Sequence, residues 1–264
     1  MTPRRIKSLV KNAIRRRLLA GRFRFDRHDF SAVSGREAIV VMCLWNRPSR
    51  LEHILRMLDG QEHPEGVVLL LWNNTRADRE TYDAAIAAHE SRGSLRRVDI
   101  VHSPFNLGAI ARFYWARRLA VAGYEGPIIV LDDDEDVDSR FVSSALEQYD
   151  PLALTSWWAF TVHSVYFDRT AARVGDRVDY AGTGGMVCPA TLFRDPRFFT
   201  DIPAPFWLLD DMWLNHFALA RGLRLAKLDV EIAFVMDETN QAHGQAELKQ
   251  DFWEYLGGQK RATT

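Results

Sequence analysis

At 264 residues, 47% hydrophobic and 26% charged, the chain can bury a full core, which excludes a largely disordered or low-complexity protein. Its net charge of −1 conceals an asymmetry: residues 1–30 carry ten Arg or Lys against Asp26 and Asp29, while the other 234 residues carry −9, which argues against nucleic acid as a partner of the body. Two cysteines, Cys43 and Cys188, each inside an apolar stretch, exclude a disulfide framework and predict a reducing compartment.

Residues 3 to 20 place Ile6, Leu9, Val10, Ile14 and Leu18 at spacings of three and four among Arg5, Lys7, Lys11, Arg15, Arg16 and Arg17. This predicts a basic amphipathic helix, which either lies on an anionic membrane surface or packs its apolar stripe on the protein's own body. Arg15-Arg-Arg17 interrupts the only apolar run a secretory signal could use, and the weakly charged stretch from Pro151 to Phe167 is shorter than a membrane span. The expectation is a cytoplasmic protein, soluble or peripheral at the inner face of a membrane.

From residue 37 strands and helices alternate. Ala38 to Leu44 reads as a buried strand, closed by Asn46-Arg-Pro48, and a helix follows from Ser49 to about Leu58, with Ser49 as its cap and Glu52 three residues on. Val67 to Trp72 is the next strand, Arg79 to Ser91 an Ala-rich helix, and Val98 to His102 a third strand. Asn106-Leu-Gly108 makes a turn before a helix from Ala109 to Ala122, and Ile128 to Leu131 is a fourth strand. The alternation implies right-handed crossovers and a mainly parallel sheet with helices on both faces. Beyond Asp138 the rhythm loosens: Phe141 to Tyr149 is helical, Leu152 to Phe167 one or two strands, Gly182-Thr-Gly-Gly185 a turn, Met186 the start of a strand, Asp210 to Arg221 a helix and Leu228 to Met236 a final strand. No repeat or linker appears. The division expected is a basic helical segment, 1–30, and one domain, 37–264, with a nucleotide half at 37–138 and an acceptor half at 139–264.

Asp132, Asp133 and Asp134 follow the apolar run Pro127-Ile-Ile-Val-Leu131. Adjacent carboxylates repel, and a hard divalent cation with oxygen ligands turns that repulsion into attraction. At a strand's carboxyl end in an α/β sheet the cluster points to nucleotide diphosphate chemistry. The alternative is a polar exit from the strand, which Glu135, Asp136 and Asp138 extend.

Five segments in this order resemble the GT-A glycosyltransferases, bacterial family 2 in particular: Ile39-Val-Val-Met-Cys-Leu-Trp-Asn-Arg-Pro48, Val67-Val-Leu-Leu-Leu-Trp-Asn-Asn74, Asn106-Leu-Gly108, Asp132-Asp-Asp134 as the Asp-x-Asp motif, and Asp210-Asp211-Met-Trp-Leu214 with Ala220-Arg-Gly222. The likeness spans roughly residues 37 to 236. Two positions depart from the pattern: Asn73 stands where an acidic residue contacts the nucleobase, and Asp210 replaces a Glu.

The resemblance implies a metal-dependent transferase that moves a sugar from a nucleotide-sugar donor, UDP-linked by preference, to a hydroxyl of a glycan or lipid-linked acceptor. It implies Mn²⁺ or Mg²⁺ held by Asp134 and Asp132, with His243 completing the site, and ribose contacts by Asp132 or Asp133. Asp211 aligns with the family's general base, with Asp210 raising its pKa or orienting the acceptor, and the stereochemical outcome implied is inversion. Helix capping is the competing role for either carboxylate. Asn46, Arg47, Asn73 and Asn106 are candidate donor contacts; Arg112 either reaches the diphosphate or covers the surface. Trp157 and Trp158 are candidates for stacking on a sugar or for the core, and Gly184 and Gly185 for a close approach by acceptor or donor sugar.

Two other functions fit parts of the pattern. A nucleotidyltransferase shares the sheet and the acidic ligands, but Leu44-Trp-Asn-Arg-Pro48 lacks the glycines of a phosphate loop. A silent sugar-nucleotide or glycan-binding module would leave Asp132 to Asp134 as a solvated turn.

Overall fold

Uninterrupted apolar runs can form only strands covered on both sides, and helices between them supply the cover. The computed structural model describes residues 3–29, 35–235 and 246–257. A helix, α1 (Pro3–Leu19), and a short strand, β1 (Asp26–Asp29), precede the alternating part: β2 (Ala38–Leu44), α2 (Leu51–Asp59), β3 (Val67–Asn73), α3 (Arg79–Ala88), β4 (Leu95–His102), α4 (Phe113–Val121) and β5 (Pro127–Asp132). The second half runs through β6 (Glu135–Val137), α5 (Phe141–Glu147), β7 (Ala153–Ser156), β8 (Ala159–Val162), β9 (Arg169–Ala171), β10 (Tyr180–Ala181), β11 (Met186–Pro189), α6 (Arg197–Thr200), α7 (Asp210–Leu219), β12 (Arg224–Lys227), β13 (Ile232–Phe234) and α8 (Ala246–Tyr255).

Eight strands form one sheet in the order β1-β4-β3-β2-β5-β11-β7-β12. The pairs β4-β3, β3-β2, β2-β5 and β7-β12 are parallel; β1 and β11 run antiparallel to their neighbours. The expected mixed α/β architecture with a mainly parallel sheet is therefore present. Val68, Leu70 and Trp72 of β3 face one core with α4 and α7, and Val67, Leu69 and Leu71 face the other with α2, α3 and α5. A slip of one residue would exchange these sets between faces, so burial fixes the register.

Several boundaries differ from expectation. Ser49 caps nothing: Pro48–Arg50 is a 3₁₀ turn that runs directly into α2, with Arg50 at the cap position and no side-chain cap bond. Pro48, with its φ preset and no N–H to satisfy, starts that turn without a hydroxyl cap. The single strand expected over Leu228 to Met236 is two, because the chain leaves β12 at the buried Leu228 and reappears as β13, pairing antiparallel with β6 just after the acidic triplet. Met236 lies outside the described residues.

The N-terminal helix packs on the body through its last turns. Leu18 is buried and Ile14 and Leu19 pack on the core, whereas Leu9 and Val10 are 57% and 42% exposed. Arg15 stacks on the Trp207 ring at 4.0 Å, and Arg117 donates to the Leu19 carbonyl at 2.7 Å, so the last turns are tied to the body. No helix among the described residues is long and apolar enough to cross a membrane. Cys43 and Cys188 are free thiols, and burial pushes each up to about 12.

Candidate active site

The carboxyl end of β5 delivers Asp132 beside Cys43 of β2, at the middle of the sheet. From Asp132 the chain turns tightly into β6, held because the β6–β13 ribbon pairs Glu135 with Phe234 and because the Val235 N–H donates to the Asp134 carbonyl at 2.8 Å. The hairpin places Asp132, Asp133, Asp134 and Glu135, four of a run of five acidic residues, in four different environments.

Asp133 points away from the open cavity. It is buried, accepts the Trp45 N–H at 2.9 Å and pairs with Arg47 Nη1 at 2.5 Å, and burial pushes its carboxyl up to about 6 against the pull of those two donors. It thereby locks the loop Trp45-Asn46-Arg47. Asn46 sits there at φ +58°, the left-handed region Asn tolerates, with Oδ1 accepting from the Thr75 hydroxyl at 3.0 Å. Arg47, expected on the donor, is buried and spans Asp133 and Asp134, the second contact at 3.1 Å.

Asp132, Asp134 and Glu135 line one cavity of about 430 Å³ with Asp211, Tyr180, Trp158, Phe234 and Thr183. Burial, then the charge of Asp132, pushes Asp134 upward; the same two causes act more strongly on fully buried Glu135. Glu135 Oε2 accepts the Asp132 N–H at 2.9 Å, and Oε1 is buried with no partner. Sequence reasoning missed Glu135, because it read as the continuation of a solvated acidic run. The available signal was the glycine opposite. A Cβ on Gly184 would collide with Glu135 Oε1 and lie 3.1 Å from Asp132 Oδ2, so the carboxylate takes the space of the missing side chain. Gly184→Ala is expected to displace Glu135 and Asp132 together and to abolish any metal-dependent nucleotide binding at this cavity, read by calorimetry, while the Tm falls by only a few degrees. Unchanged affinity would mean that the close packing has no role at the site. Gly185 adopts φ +58°, and a Cβ there would collide with Ile232.

Arg112 corrects the expectation most. Rather than reaching outward, its guanidinium is 1% exposed and joins the two halves of the site: Nη1 pairs with Asp132 and donates to the Leu131 carbonyl at 3.3 Å, and Nη2 donates to the Thr183 hydroxyl at 2.9 Å and to Asp210 Oδ2 at 3.2 Å. Flanking carboxylates hold the guanidinium charged despite burial. Asp210 begins α7 and is itself buried, and burial, partly offset by Arg112, pushes it up to about 6. Asp211, next in the chain, faces the cavity and accepts a hydrogen bond from the Tyr180 hydroxyl. Leu209 holds the cap position and makes no side-chain cap bond, but Asp211 Oδ1 accepts the Met212 N–H of the first turn at 2.7 Å, so its carboxylate also serves the helix start.

The sign of the Asp210 shift gives a pH dependence. Its folded pKa lies above the ordinary 3.8, so between about pH 4 and 6 the native state holds a proton the unfolded chain has released, and stability falls as pH rises through that window. Asp210→Asn should make the slope shallower in urea denaturation across those pH values, with Asp133, Asp134 and Glu135, whose carboxyls are also raised, supplying the slope that remains. An unaltered slope would assign the proton elsewhere.

Asn73 is buried, with Nδ2 3.0 Å from His102 Nδ1 and Oδ1 accepting the Thr75 N–H at 2.7 Å, so its amide is committed within the protein and not presented to a base. Asn106 is exposed and turns back on the Gly108 N–H at 2.7 Å, while Asn74, not singled out by the sequence, clamps the same segment from beneath through Leu107 N–H and the Gly108 carbonyl. Trp158 lines the cavity at 36% exposure, and both Trp157 and Trp158 meet Phe234 edge-on at 5.2 Å. His243 lies outside the described residues.

Among the described residues, the cluster with three ligand atoms within 4.8 Å of one another is Asp26, Asp83 and His102, on the β1 side of the sheet and not at the acidic triplet. There Asn73 donates to His102 Nδ1, so Nε2 carries the proton and donates to Asp83 at 2.7 Å, and Arg79 meets Asp26 at 3.4 Å and Asp83 at 3.3 Å. A protonated Nε2 cannot ligate a cation. The cavity fits one better: Asp132 and Asp134 face it, and Glu135 Oε1 is an orphaned buried acceptor beside them.

No protein-family model matches the sequence, and no curated protein matches it. Similar solved structures are the mannosyltransferase PcManGT from Pyrobaculum calidifontis, in complex with GDP-Man and Mn²⁺, at 16% identity and TM-score 0.53 over 88% of this chain and 65% of that one, and S. aureus TarS 1-349 in complex with UDP-GlcNAc, at 12% identity and TM-score 0.48 over 76% and 59%. A longer TarS structure matches with 12% identity and TM-score 0.45, over 73% of this chain and 35% of that one. The chain thus spans between about a third and two thirds of these proteins. The mixed α/β fold built around β2 to β5 is one that the mannosyltransferase shares.

Proposed function

We propose that this chain is a GT-A glycosyltransferase that moves a sugar from a nucleotide-sugar donor, UDP-linked by preference, to a hydroxyl of a glycan or lipid-linked acceptor. The observation that carries the reading is the convergence of Asp132, Asp134 and Glu135 with Asp211, from segments more than seventy residues apart, on one cavity walled by Trp158 and Phe234.

Asp132 and Asp134, with Glu135 behind them, would hold Mn²⁺ or Mg²⁺. Bound there, the cation would act as a Lewis acid that neutralises the departing diphosphate. The residues themselves divide the remaining work. Asp211 accepts the proton of the acceptor hydroxyl as general base, which implies inversion; Tyr180 fixes the carboxylate's orientation. Trp158 and Phe234 offer ring faces to a sugar. Arg112 holds Asp132 and Asp210 in place, and Arg47 does the same for Asp134. Residues 37–138 supply the donor half and 139–264 the acceptor half.

The test is thermal stability with UDP-, GDP-, CMP- and dTDP-sugars, with Mn²⁺ or with EDTA. At about 100 times its dissociation constant a donor stabilises by roughly 2.7 kcal/mol. A shift with one nucleotide class that requires Mn²⁺ and disappears in Asp134→Asn supports the reading; no shift with any donor sinks it.

Leu9 and Val10, together with Arg17, Arg22 and Arg24, are exposed, which supports a peripheral place on the inner, anionic face of a membrane through residues 3–20 and the turn after them. Each basic residue near such a surface contributes about 1 kcal/mol. Leu9→Ser with Val10→Ser and Arg17→Glu should release the chain from vesicles containing phosphatidylglycerol in co-sedimentation; retention like that of the unaltered chain would assign the helix to the body alone.

A further inference from the structure

The cavity has a second wall of opposite sign. Arg169 of β9 and Lys249 of α8 line it together with the acidic residues, and among the described residues neither meets a carboxylate. Other residues take up the acids of this region: Asp179 pairs with Arg177 at 2.9 Å, Asp168 accepts from Ser164 at 2.6 Å, and Asp211 accepts from Tyr180. The Arg169 guanidinium lies over three rings, Phe160 at 4.4 Å, Tyr166 at 4.5 Å and Tyr180 at 5.3 Å, and its Nη1 is buried without a hydrogen-bond partner. Ring faces attract the charge of a cation and leave its N–H donors unmet, so a buried donor of this kind lacks an acceptor that the protein does not supply.

The support behind these cations is built, not incidental. The Tyr166 N–H donates to Gln250 Oε1 at 3.0 Å, and Tyr166 lies 6.0 Å from Trp253, which docks α8 and with it Lys249 against the aromatic cage. Tyr166 meets Tyr180 edge-on at 5.3 Å, and Tyr180 is the residue that holds Asp211. One chain of contacts therefore ties Arg169 to the carboxylate that receives the acceptor's proton.

We infer that the acceptor is anionic: the hydroxyl presented to Asp211 belongs to a molecule carrying a phosphate or carboxylate that Arg169 and Lys249 bind. This rests on the proposed transfer for the role of Asp211, but the anion site itself does not. A guanidinium presents a planar fork and an ammonium a compact point charge, so two cations from different elements suit an oxyanion with several oxygens. A neutral acceptor would leave the Arg169 Nη1 donor without an anionic acceptor beside the reacting hydroxyl.

The test uses the whole chain and three hexoses that differ only at one carbon: glucose, glucose 6-phosphate and glucuronate, with dissociation constants from NMR shift titration. Both acidic hexoses are expected to bind at least about ten-fold more tightly than glucose, and the phosphate arm against the carboxylate arm identifies the anion. Arg169→Met with Lys249→Met should erase the difference, Arg169→Lys should keep part of it, and UDP or GDP with Mn²⁺ should bind all of these alike. Should Arg169→Met fail to fold, Lys249→Met alone, on an outer helix, carries the same comparison with a smaller loss. Equal affinity for the three hexoses overturns the inference, as does a preference that survives the double variant, which would put the anion on the basic N-terminal segment. A parallel loss of nucleotide diphosphate affinity would assign the cations to the donor and overturn it too. A preference for acidic hexoses in a chain that binds no nucleotide would keep the anion site and remove the transferase reading.

Discussion

Replacing Arg112 by Met is expected to destabilise the protein more than any other single substitution at the site. The guanidinium is the shared counter-charge of Asp132 and Asp210, and Asp210 is 5% exposed. Removing one partner of a buried ionic group costs about 3–5 kcal/mol, because Asp210 remains buried without compensation. For a chain of this size each kcal/mol lowers Tm by about 2–4 °C, so the loss should be on the order of 10 °C, with the urea midpoint moving accordingly. Adding Asp210→Asn to Arg112→Met should recover part of it, since the neutral amide no longer needs the cation. Arg112→Lys should recover less, because one ammonium cannot span Asp132, Asp210, Thr183 and the Leu131 carbonyl at once. A decrease of only a degree or two in Arg112→Met would mean that the guanidinium is not the counter-charge on which the folded site depends.

The same residue marks where reading the sequence stops. β2 to β5 were legible because each is an apolar run with breakers at its ends, and a run of that kind has one stable environment, a covered strand. Asp132 and Asp134 were legible because charge placed directly after such a strand must emerge at its end. Arg112 was not: nothing local distinguishes an Arg on the outside of a helix from one aimed inward at partners 20 and 98 residues away. Asp133 and Glu135 were misjudged for a related reason. In sequence the acidic residues look equivalent, and what separates them is the antiparallel pairing of β6 with β13, almost a hundred residues further on. Arg169 gave no signal at all, since its partners are three rings from separate segments. Local order follows from pattern, whereas the electrostatics of the site follow from long-range contacts that pattern does not encode.

The largest expected change in rate comes from Asp211. Asp211→Asn keeps the size of the side chain, an oxygen that can accept the Met212 N–H as Oδ1 does, and an amide that can donate to the Tyr180 hydroxyl, so α7 and the cavity should persist. What it removes is the basic oxygen proposed to take the acceptor's proton. General-base catalysis contributes about 10²–10⁴-fold, and transfer should fall by that factor while the affinity for donor and Mn²⁺ stays within about two-fold. Because the missing interaction belongs to the transition state, kcat should carry the loss and KM should not. Tyr180→Phe should act in the same direction but more weakly, on the order of ten-fold, because it loosens the carboxylate without deleting it. Its effect should vanish when Asp211 is already Asn, the non-additivity expected of two residues acting as a unit. Additive losses would mean that Tyr180 serves the acceptor directly, and an Asp211→Asn enzyme with unaltered kcat would require the proton to leave by another route.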